Sequence, residues 1–233
     1  MNKNRLEYLR RFYAALLTLE NKIGGPRLLS QATGRMQWPQ KGIYFFFEEN
    51  ELRSHSGAGN KVVRIGTHGL TATSKTSLWH RLSQHRGSAK SGGGNHRGSI
   101  LRLIVGTSLL KQDGDTHQTW GKGSSAPREI REKEQSLEKR VSTIIGAMPF
   151  LWLEIDHPTK GPNMRGMIER NSIALLSNYG RSSMDQASSS WLGHDCNREK
   201  VRGSNLWNSN HVTENYDPSF LDLLEQLVGG MRY

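Results

Sequence analysis

Four side chains along the sequence are of types that can hydrolyse a phosphate ester. Tyr44 lies in an aromatic run, Arg81 and His85 are four residues apart, and Glu169 lies much further along the chain. A glutamate can hold Mg²⁺, which binds through one or two carboxylates and keeps most of its waters. An arginine can clamp a phosphoryl oxygen with two N–H groups. A tyrosine, as phenolate or through a relay with a histidine, can accept the proton of the attacking water.

Each of these residues also has an ordinary structural explanation. A tyrosine in a strand usually packs in the core, and an Arg-x-x-x-His pair usually lies on a helix surface. A single glutamate on a helix is usually solvated, and Arg165 or Arg170 could pair with Glu169. The residue types alone therefore leave the function open, and their order along the predicted elements has to decide.

A predicted hairpin and a short helix carry the first of these residues. The β-branched and aromatic runs 42–48 (GIYFFFE) and 61–67 (KVVRIGT) predict two strands, joined through turn residues 54–60. Apolar residues on one face predict a helix over residues 77–85, which places Arg81 and His85 one turn apart on the same face.

The rest of the chain supplies further helices and a third strand. Residues 150–156 (FLWLEID) predict that strand, and the polar, serine-rich residues 182–202 predict a loop. Helical spacing of apolar residues predicts helices over residues 4–21, 128–148, 163–178 and 220–228. The apolar run 100–110 fits a helix or a strand, and a helix is favoured. A hairpin, then helices and a third strand, indicates an α+β fold.

Taken in chain order, these residues resemble the motifs of the GIY-YIG nuclease family, which includes homing endonucleases, restriction enzymes and an excision-repair incision subunit. The resemblance covers residues 40–180 and rests on Gly42-Ile43-Tyr44, Arg64-Ile65-Gly66, the Arg81 and His85 pair, Glu169 and Asn178. It implies a small three-stranded antiparallel sheet flanked by helices, and one divalent ion, Mg²⁺ or Mn²⁺, held by Glu169. It implies catalytic roles for Tyr44, Arg64, Arg81, His85, Glu169 and Asn178.

The second motif departs from the family, because Arg64 stands where the family has a tyrosine. A guanidinium cannot accept a proton at neutral pH, so its role would be electrostatic. It could hold the scissile phosphate or favour the phenolate of Tyr44. The alternative is that Arg64 lies on the opposite face of the sheet and is only solvated. The long gap between Tyr44 and Arg64 predicts an insertion in the hairpin loop.

Two further positions have competing explanations. Asn178 is favoured over Asn171 as the last family residue because it follows the end of the helix, although it could also be a helix cap. A rival acidic site, Glu154 and Asp156 followed by Lys160, lacks the usual carboxylate-x-Lys spacing and is more simply the end of a strand.

The charge is concentrated in one part of the chain. Lys and Arg exceed Asp and Glu by 32 to 21, and the acid-free segment, residues 52–112, holds ten of these bases and no acid. A long basic segment without acids predicts a nucleic-acid partner, DNA in preference to RNA. The candidate contacts are Arg86, Lys90, His96, Arg97 and Arg102, several of them in the glycine-rich loop 88–98. A catalytically inactive nucleic-acid-binding module remains the alternative function.

Composition excludes several other classes. The single cysteine, Cys196, excludes an internal disulfide framework and a zinc site built from several cysteines. Without a run of about 18 apolar residues or a signal sequence, we expect a soluble, cytoplasmic protein with no membrane partner. The 233 residues are expected to form an N-terminal helical extension (1–37), a nuclease-like domain (38–180) and a C-terminal extension (181–233).

Overall fold

The computed structural model describes residues 3–71, 74–155 and 163–231. Within them, four strands form one antiparallel sheet in the order β1-β4-β2-β3: β1 (Arg27–Leu28), β2 (Gly42–Leu52), β3 (Asn60–Thr67) and β4 (Pro149–Glu154). The α+β class is confirmed, but the sheet has one strand more than predicted. The additional strand, β1, is two residues long and has no alternating pattern that sequence reasoning could detect.

Seven α-helices surround this sheet in the described part of the chain. They are α1 (Lys3–Ile23), α2 (Leu78–Arg86), α3 (Ile100–Gln112), α4 (Arg128–Gly146), α5 (Met164–Leu176), α6 (Glu199–Ser204) and α7 (Phe220–Gly230). The six helices predicted from periodicity begin and end within two residues of their predicted bounds. The prediction of a loop over residues 182–202 is wrong in part, because this region contains a 3₁₀ turn (Leu192–Asp195) and the start of α6.

The central strand β2 is buried on both faces. Its residues Ile43 to Phe46 have no exposed surface, because β3 and β4 pair with its edges and helices cover both faces. The insertion predicted in the hairpin loop lies largely in the strand instead. β2 continues to Leu52 through two register shifts, and only residues 53–59 form the connection to β3.

Both expected extensions contribute to the hydrophobic core of the sheet. Phe12 of α1 meets Phe45 of β2 with ring centroids 5.9 Å apart, and Trp207 and Phe220 are buried in the same cluster. The division into three parts remains a prediction. No helix in the described residues has the length and apolar character needed to cross a membrane.

The C-terminal segment 206–208 covers the outer edge of β3. The Trp207 N–H donates to the carbonyl of Val63 over 2.7 Å, and the Asn208 amide both accepts from and donates to the backbone of Ile65. An edge strand has unpaired backbone groups that need partners. This pairing places residues 207–210 beside the carboxyl half of β3, where the site lies.

Candidate active site

A cleft of about 390 Å³ opens where β2, β3, α2, α5 and the C-terminal segment meet. Four of the six predicted catalytic residues line it: Tyr44, Arg64, Arg81 and Glu169. Further lining comes from Arg198 and Trp207 to Asn210. The fold therefore brings together residues that are up to 166 positions apart in the sequence.

Tyr44 is fixed by its neighbours on both sides. It lies opposite Gly66 on β3, and its hydroxyl lies so close to that glycine that an added Cβ would be 2.2 Å away. The same hydroxyl is 2.7 Å from Nε2 of His85 on α2. Gly66 of the second motif is therefore required for space, since any side chain there would displace the tyrosine.

His85 lies behind Tyr44 rather than in the cleft itself. It has no exposed surface, and its Nδ1 is 2.7 Å from the Ser99 hydroxyl at the start of α3. Burial, followed by the nearby cations Arg81, Arg64 and Arg102, holds the pKa of His85 well below its usual range. The imidazole is therefore neutral at physiological pH and can contact the cleft only through Tyr44.

Arg64 faces the cleft, and not the opposite face of the sheet. Strand alternation puts it on the same face as Gly66, and its Nη1 donates to the carbonyl of Trp207. Its Nε–H has no acceptor among the described residues. Burial lowers the pKa of Arg64, while Tyr44 favours its charged form.

Arg81 lies at the mouth of the cleft on α2. Its Nη1 donates to the side chain of Gln84 over 2.9 Å and to the carbonyl of Gly98 over 3.1 Å. No carboxylate in the described part of the chain lies within ion-pair distance of it. The half-buried guanidinium thus keeps capacity for an anionic ligand.

Glu169 is the one carboxylate that lines the cleft in the part of the chain that is described. It projects from α5, is half-buried, and accepts the N–H of Thr67 at the end of β3 over 3.2 Å. Burial raises its pKa, and the positive charge of Arg64 opposes that shift. The cleft therefore combines one carboxylate with the guanidinium groups of Arg64, Arg81 and Arg198.

A single carboxylate is a suitable protein ligand for one Mg²⁺, which takes its other oxygens from water and substrate. No cluster of three or more His, Cys, Asp or Glu exists among the described residues, so a metal cage built by the protein alone is absent from them. The rival Glu154 lies at the end of β4 and does not line the cleft, and Asp156 and Lys160 lie outside the described residues.

Neither asparagine candidate reaches the cleft. The Asn178 side chain is buried, accepts hydrogen bonds from Arg5 and the Met184 N–H, and donates to the Met184 carbonyl. Asn171 on α5 accepts from the backbone of Asp217. These contacts hold the C-terminal extension against α1 and α5, so the placement does not support the expected catalytic role of Asn178.

Apart from Thr67, Ile100 and Ile173, the cleft residues that sequence reasoning missed belong to the C-terminal extension. Arg198 donates to the Ser209 hydroxyl over 3.5 Å, and Asn208 and Asn210 lie beside Arg64 and Glu169. No motif in the sequence marks them, because they are placed by the pairing of residues 207 and 208 with β3. Only the three asparagines around Trp207, at positions 205, 208 and 210, hint at this packing.

The expected nucleic-acid contacts divide into two groups. His96, Arg97 and Arg102 lie in the α3–α4 ion network, which we define as these three residues with Glu134 and Glu138 of α4. Arg102 has no exposed surface, and the side chain of Arg97 is only 3% exposed. Side chains buried in this way are not available to a phosphate backbone, so their placement does not support the expected nucleic-acid contacts of His96, Arg97 and Arg102.

Arg86 and Lys90 are the candidates that remain outside that network. Arg86 donates to the carbonyl of Ala32 and lies over the ring of Trp79, 5.4 Å from its centroid. Lys90 is exposed in the glycine-rich loop. Of the two, Lys90 is the one that a duplex could contact without rearrangement.

Comparison with known families agrees with this arrangement. A family model described as the GIY-YIG domain matches residues 3–232, which is nearly the whole chain. The comparison with curated proteins and the comparison with solved structures each gave no match.

Proposed function

The chain belongs to the GIY-YIG family, and on that premise we propose that it is a nuclease that hydrolyses phosphodiester bonds in DNA with one divalent metal ion. The observation that carries this proposal is the cleft that gathers Tyr44, Arg64, Arg81 and Glu169. Two of these residues lie on adjacent strands and two on separate helices, so packing of the core alone does not require them to meet.

The charge of the cleft suits a phosphodiester. Three guanidinium groups, those of Arg64, Arg81 and Arg198, face a single carboxylate. Arginine holds phosphoryl oxygens through paired N–H donors, and such contacts strengthen as negative charge grows in the transition state.

Tyr44 is the group we assign to proton transfer. Its hydroxyl is the only oxygen of the first motif that both contacts His85 and lines the cleft among the described residues. As phenolate it accepts the proton of the attacking water, while Arg64 and Arg81 hold the phosphate. Because Arg64 cannot accept a proton, its role is to stabilise charge.

Glu169 is the residue that would hold the metal ion, Mg²⁺ or Mn²⁺. When bound, a divalent ion neutralises charge on the phosphoryl oxygens and lowers the pKa of a coordinated water. Glu169 is half-buried and lines the cleft, so a substrate in the cleft can reach it.

A second candidate function is a nucleic-acid-binding module without activity. The observation that favours it is Arg64 in the position of the motif tyrosine. Tyr44, Arg81 and Glu169 are all present in the cleft, and we therefore favour the enzyme.

The test is cleavage of supercoiled plasmid and of single-stranded DNA, with Mg²⁺, with Mn²⁺ and with EDTA. We expect metal-dependent cleavage by the wild-type chain and none by Glu169→Ala, with DNA binding retained. Glu129→Ala, an exposed carboxylate on α4, is the matched control and should cleave normally. DNA binding by the wild type without cleavage in either metal would favour the inactive module.

A further inference from the structure

Ser99 makes two contacts that the proposed mechanism has not used. Its hydroxyl accepts the N–H of Arg102 as the N-cap of α3, over 3.3 Å, and is 2.7 Å from Nδ1 of His85. The other ring nitrogen, Nε2, is 2.7 Å from the Tyr44 hydroxyl. Ser99, His85 and Tyr44 therefore form a continuous chain of hydrogen bonds, and each member is buried.

His85 has a single N–H to place in this chain. Arg64 on β3, Arg81 on the same helix and Arg102 on α3 all lie near the ring and disfavour a second proton, as does burial. The side chain of Glu138, which could favour a charged ring, is paired with Arg102 and His96 instead. The neutral ring therefore donates either to Ser99 or to Tyr44, and not to both.

The Ser99 hydroxyl decides between these two arrangements. It is 2% exposed, and among the described residues its proton has one acceptor within reach, Nδ1 of His85. If Nδ1 carried the proton, the Ser99 O–H would be a buried donor without an acceptor, which costs free energy. With Nδ1 as acceptor, the Ser99 proton has its partner, and the proton of the Tyr44 hydroxyl is left to an acceptor in the cleft, which Tyr44 lines and Ser99 does not.

We propose that Ser99 is a positioning residue that fixes His85 as the Nε2–H tautomer, so that His85 donates a hydrogen bond to the Tyr44 oxygen. This inference rests on the proposed nuclease function for its catalytic meaning, but not for the proton arrangement itself. A ring nitrogen that already carries a proton cannot take one from Tyr44. His85 therefore stabilises the phenolate of Tyr44 directly, and the relay through His85 does not operate.

The direct test is nuclear magnetic resonance of the full chain labelled with ¹⁵N-histidine. Comparison with the spectrum of His85→Gln assigns His85 among the nine histidines. We expect a protonated Nε2 and an unprotonated Nδ1 at neutral pH. A protonated Nδ1 in the wild-type protein would overturn the proposal whether or not the protein cleaves DNA.

Three substitutions then test the catalytic consequence. Ser99→Ala removes both the cap and the hydroxyl, Ser99→Thr keeps both, and Ser77→Ala removes the equivalent cap of α2 without touching His85. We expect kcat to fall about tenfold or more in Ser99→Ala with KM little changed, and to stay within about threefold of wild type in Ser99→Thr.

Ser77→Ala separates loss of a cap from loss of the tautomer. Both alanine variants should lose similar stability in urea, but only Ser99→Ala should lose activity beyond that of Ser77→Ala. Equal activity of the two alanine variants, or loss of activity in Ser99→Thr, would refute the positioning role. If the wild type itself does not cleave, the proposed function fails, while the tautomer measurement still decides the proton arrangement.

Discussion

The cleft and the α3–α4 ion network both bury charge, but they balance it differently. In the network, Arg97 forms a two-pronged pair with Glu134, and Arg102 pairs with Glu138. Each guanidinium there has its own carboxylate. In the cleft, Glu169 faces three guanidinium groups and has no ion-pair partner among the described residues.

The pKa values of the buried carboxylates Glu138 and Glu169, one from each region, are shifted in opposite directions. Burial alone would raise the pKa of Glu138, but hydrogen bonds from His96 and Arg102 lower it below the usual range. For Glu169 the effect of burial prevails, and its pKa is raised. A matched pair of charges stabilises the fold, whereas an unmatched arrangement of charges costs stability and is available for a ligand.

Glu169→Gln should produce the largest effect on activity. Loss of the metal ligand removes several kcal/mol of transition-state stabilisation, so cleavage should fall on the order of a thousandfold. Because the folded-state pKa of Glu169 is raised, ionisation of this group opposes folding as pH rises through that pKa. In EDTA at neutral pH the variant should therefore be at least as stable as wild type.

Glu138→Gln is the contrasting variant for that prediction. In the wild type, the lowered pKa of Glu138 means that its ionised form stabilises the fold above the pKa of an unfolded glutamate. This contribution is lost as pH falls through the folded-state pKa. Urea unfolding at neutral pH should show a clear loss of stability in Glu138→Gln. A larger loss in Glu169→Gln than in Glu138→Gln would contradict the division between the two regions.

Removing Arg102 from the ion network should have the largest effect on stability. Arg102→Leu leaves Glu138 buried without its guanidinium, which typically costs about 3–5 kcal/mol. The free energy of unfolding in urea measures this loss, with Arg140→Leu as the control, since Arg140 pairs with Asp113 on the surface and should cost at most about 1 kcal/mol. The double variant Arg102→Leu with Glu138→Leu should recover much of the loss, and failure to do so would argue against an ion-pair origin.

Substitutions at Arg64 should give an intermediate effect on activity. Arg64→Ala removes a charged donor to the phosphate, worth about 1.5–3 kcal/mol, so kcat/KM should fall about ten- to a hundredfold. Arg64→Lys keeps the charge and should retain partial activity, whereas Arg64→Tyr restores the motif residue without the charge and should be slower than Arg64→Lys. Wild-type cleavage by Arg64→Ala would reduce the site to Tyr44, Arg81, His85 and Glu169.

Arg198→Ala should give the smallest effect, on binding rather than chemistry. If Arg198 contacts one phosphate, the slope of log K against log salt for duplex DNA should decrease by about 0.9. Arg97→Ala, from the ion network, should leave the slope unchanged, because its guanidinium is already neutralised by Glu134. Equal slopes for wild type and Arg198→Ala would remove Arg198 from the binding surface.

Local patterns in the sequence predicted the parts of the molecule that depend on local contacts. The strands that carry Tyr44 and Arg64 follow from β-branched and aromatic runs, and the helix that carries Arg81 follows from helical spacing, over fewer than a dozen residues each. Strand alternation put Arg64 on the same face as Gly66, but which face meets the cleft stayed open, because that depends on the register between β2 and β3.

The partners of the acid-free segment could not be predicted in this way. That segment lacks acids along the chain, but Glu134 and Glu138 approach it from α4 and neutralise Arg97 and Arg102. Charge along the sequence therefore overstated the basic surface. The contacts of Asn178 could not be predicted for the same reason, since its partner Arg5 lies at the other end of the chain, on α1.

The C-terminal segment 206–208, which covers the edge of β3, has a consequence for the nascent chain. Synthesis proceeds from the N-terminus, so the hairpin with Tyr44 and Arg64 leaves the ribosome long before Arg198 and residues 207–210. Until then the edge of β3 is open and one wall of the cleft does not exist. An unfinished chain therefore carries Tyr44 and Arg64 on a hairpin whose outer edge and neighbouring cleft wall are still missing.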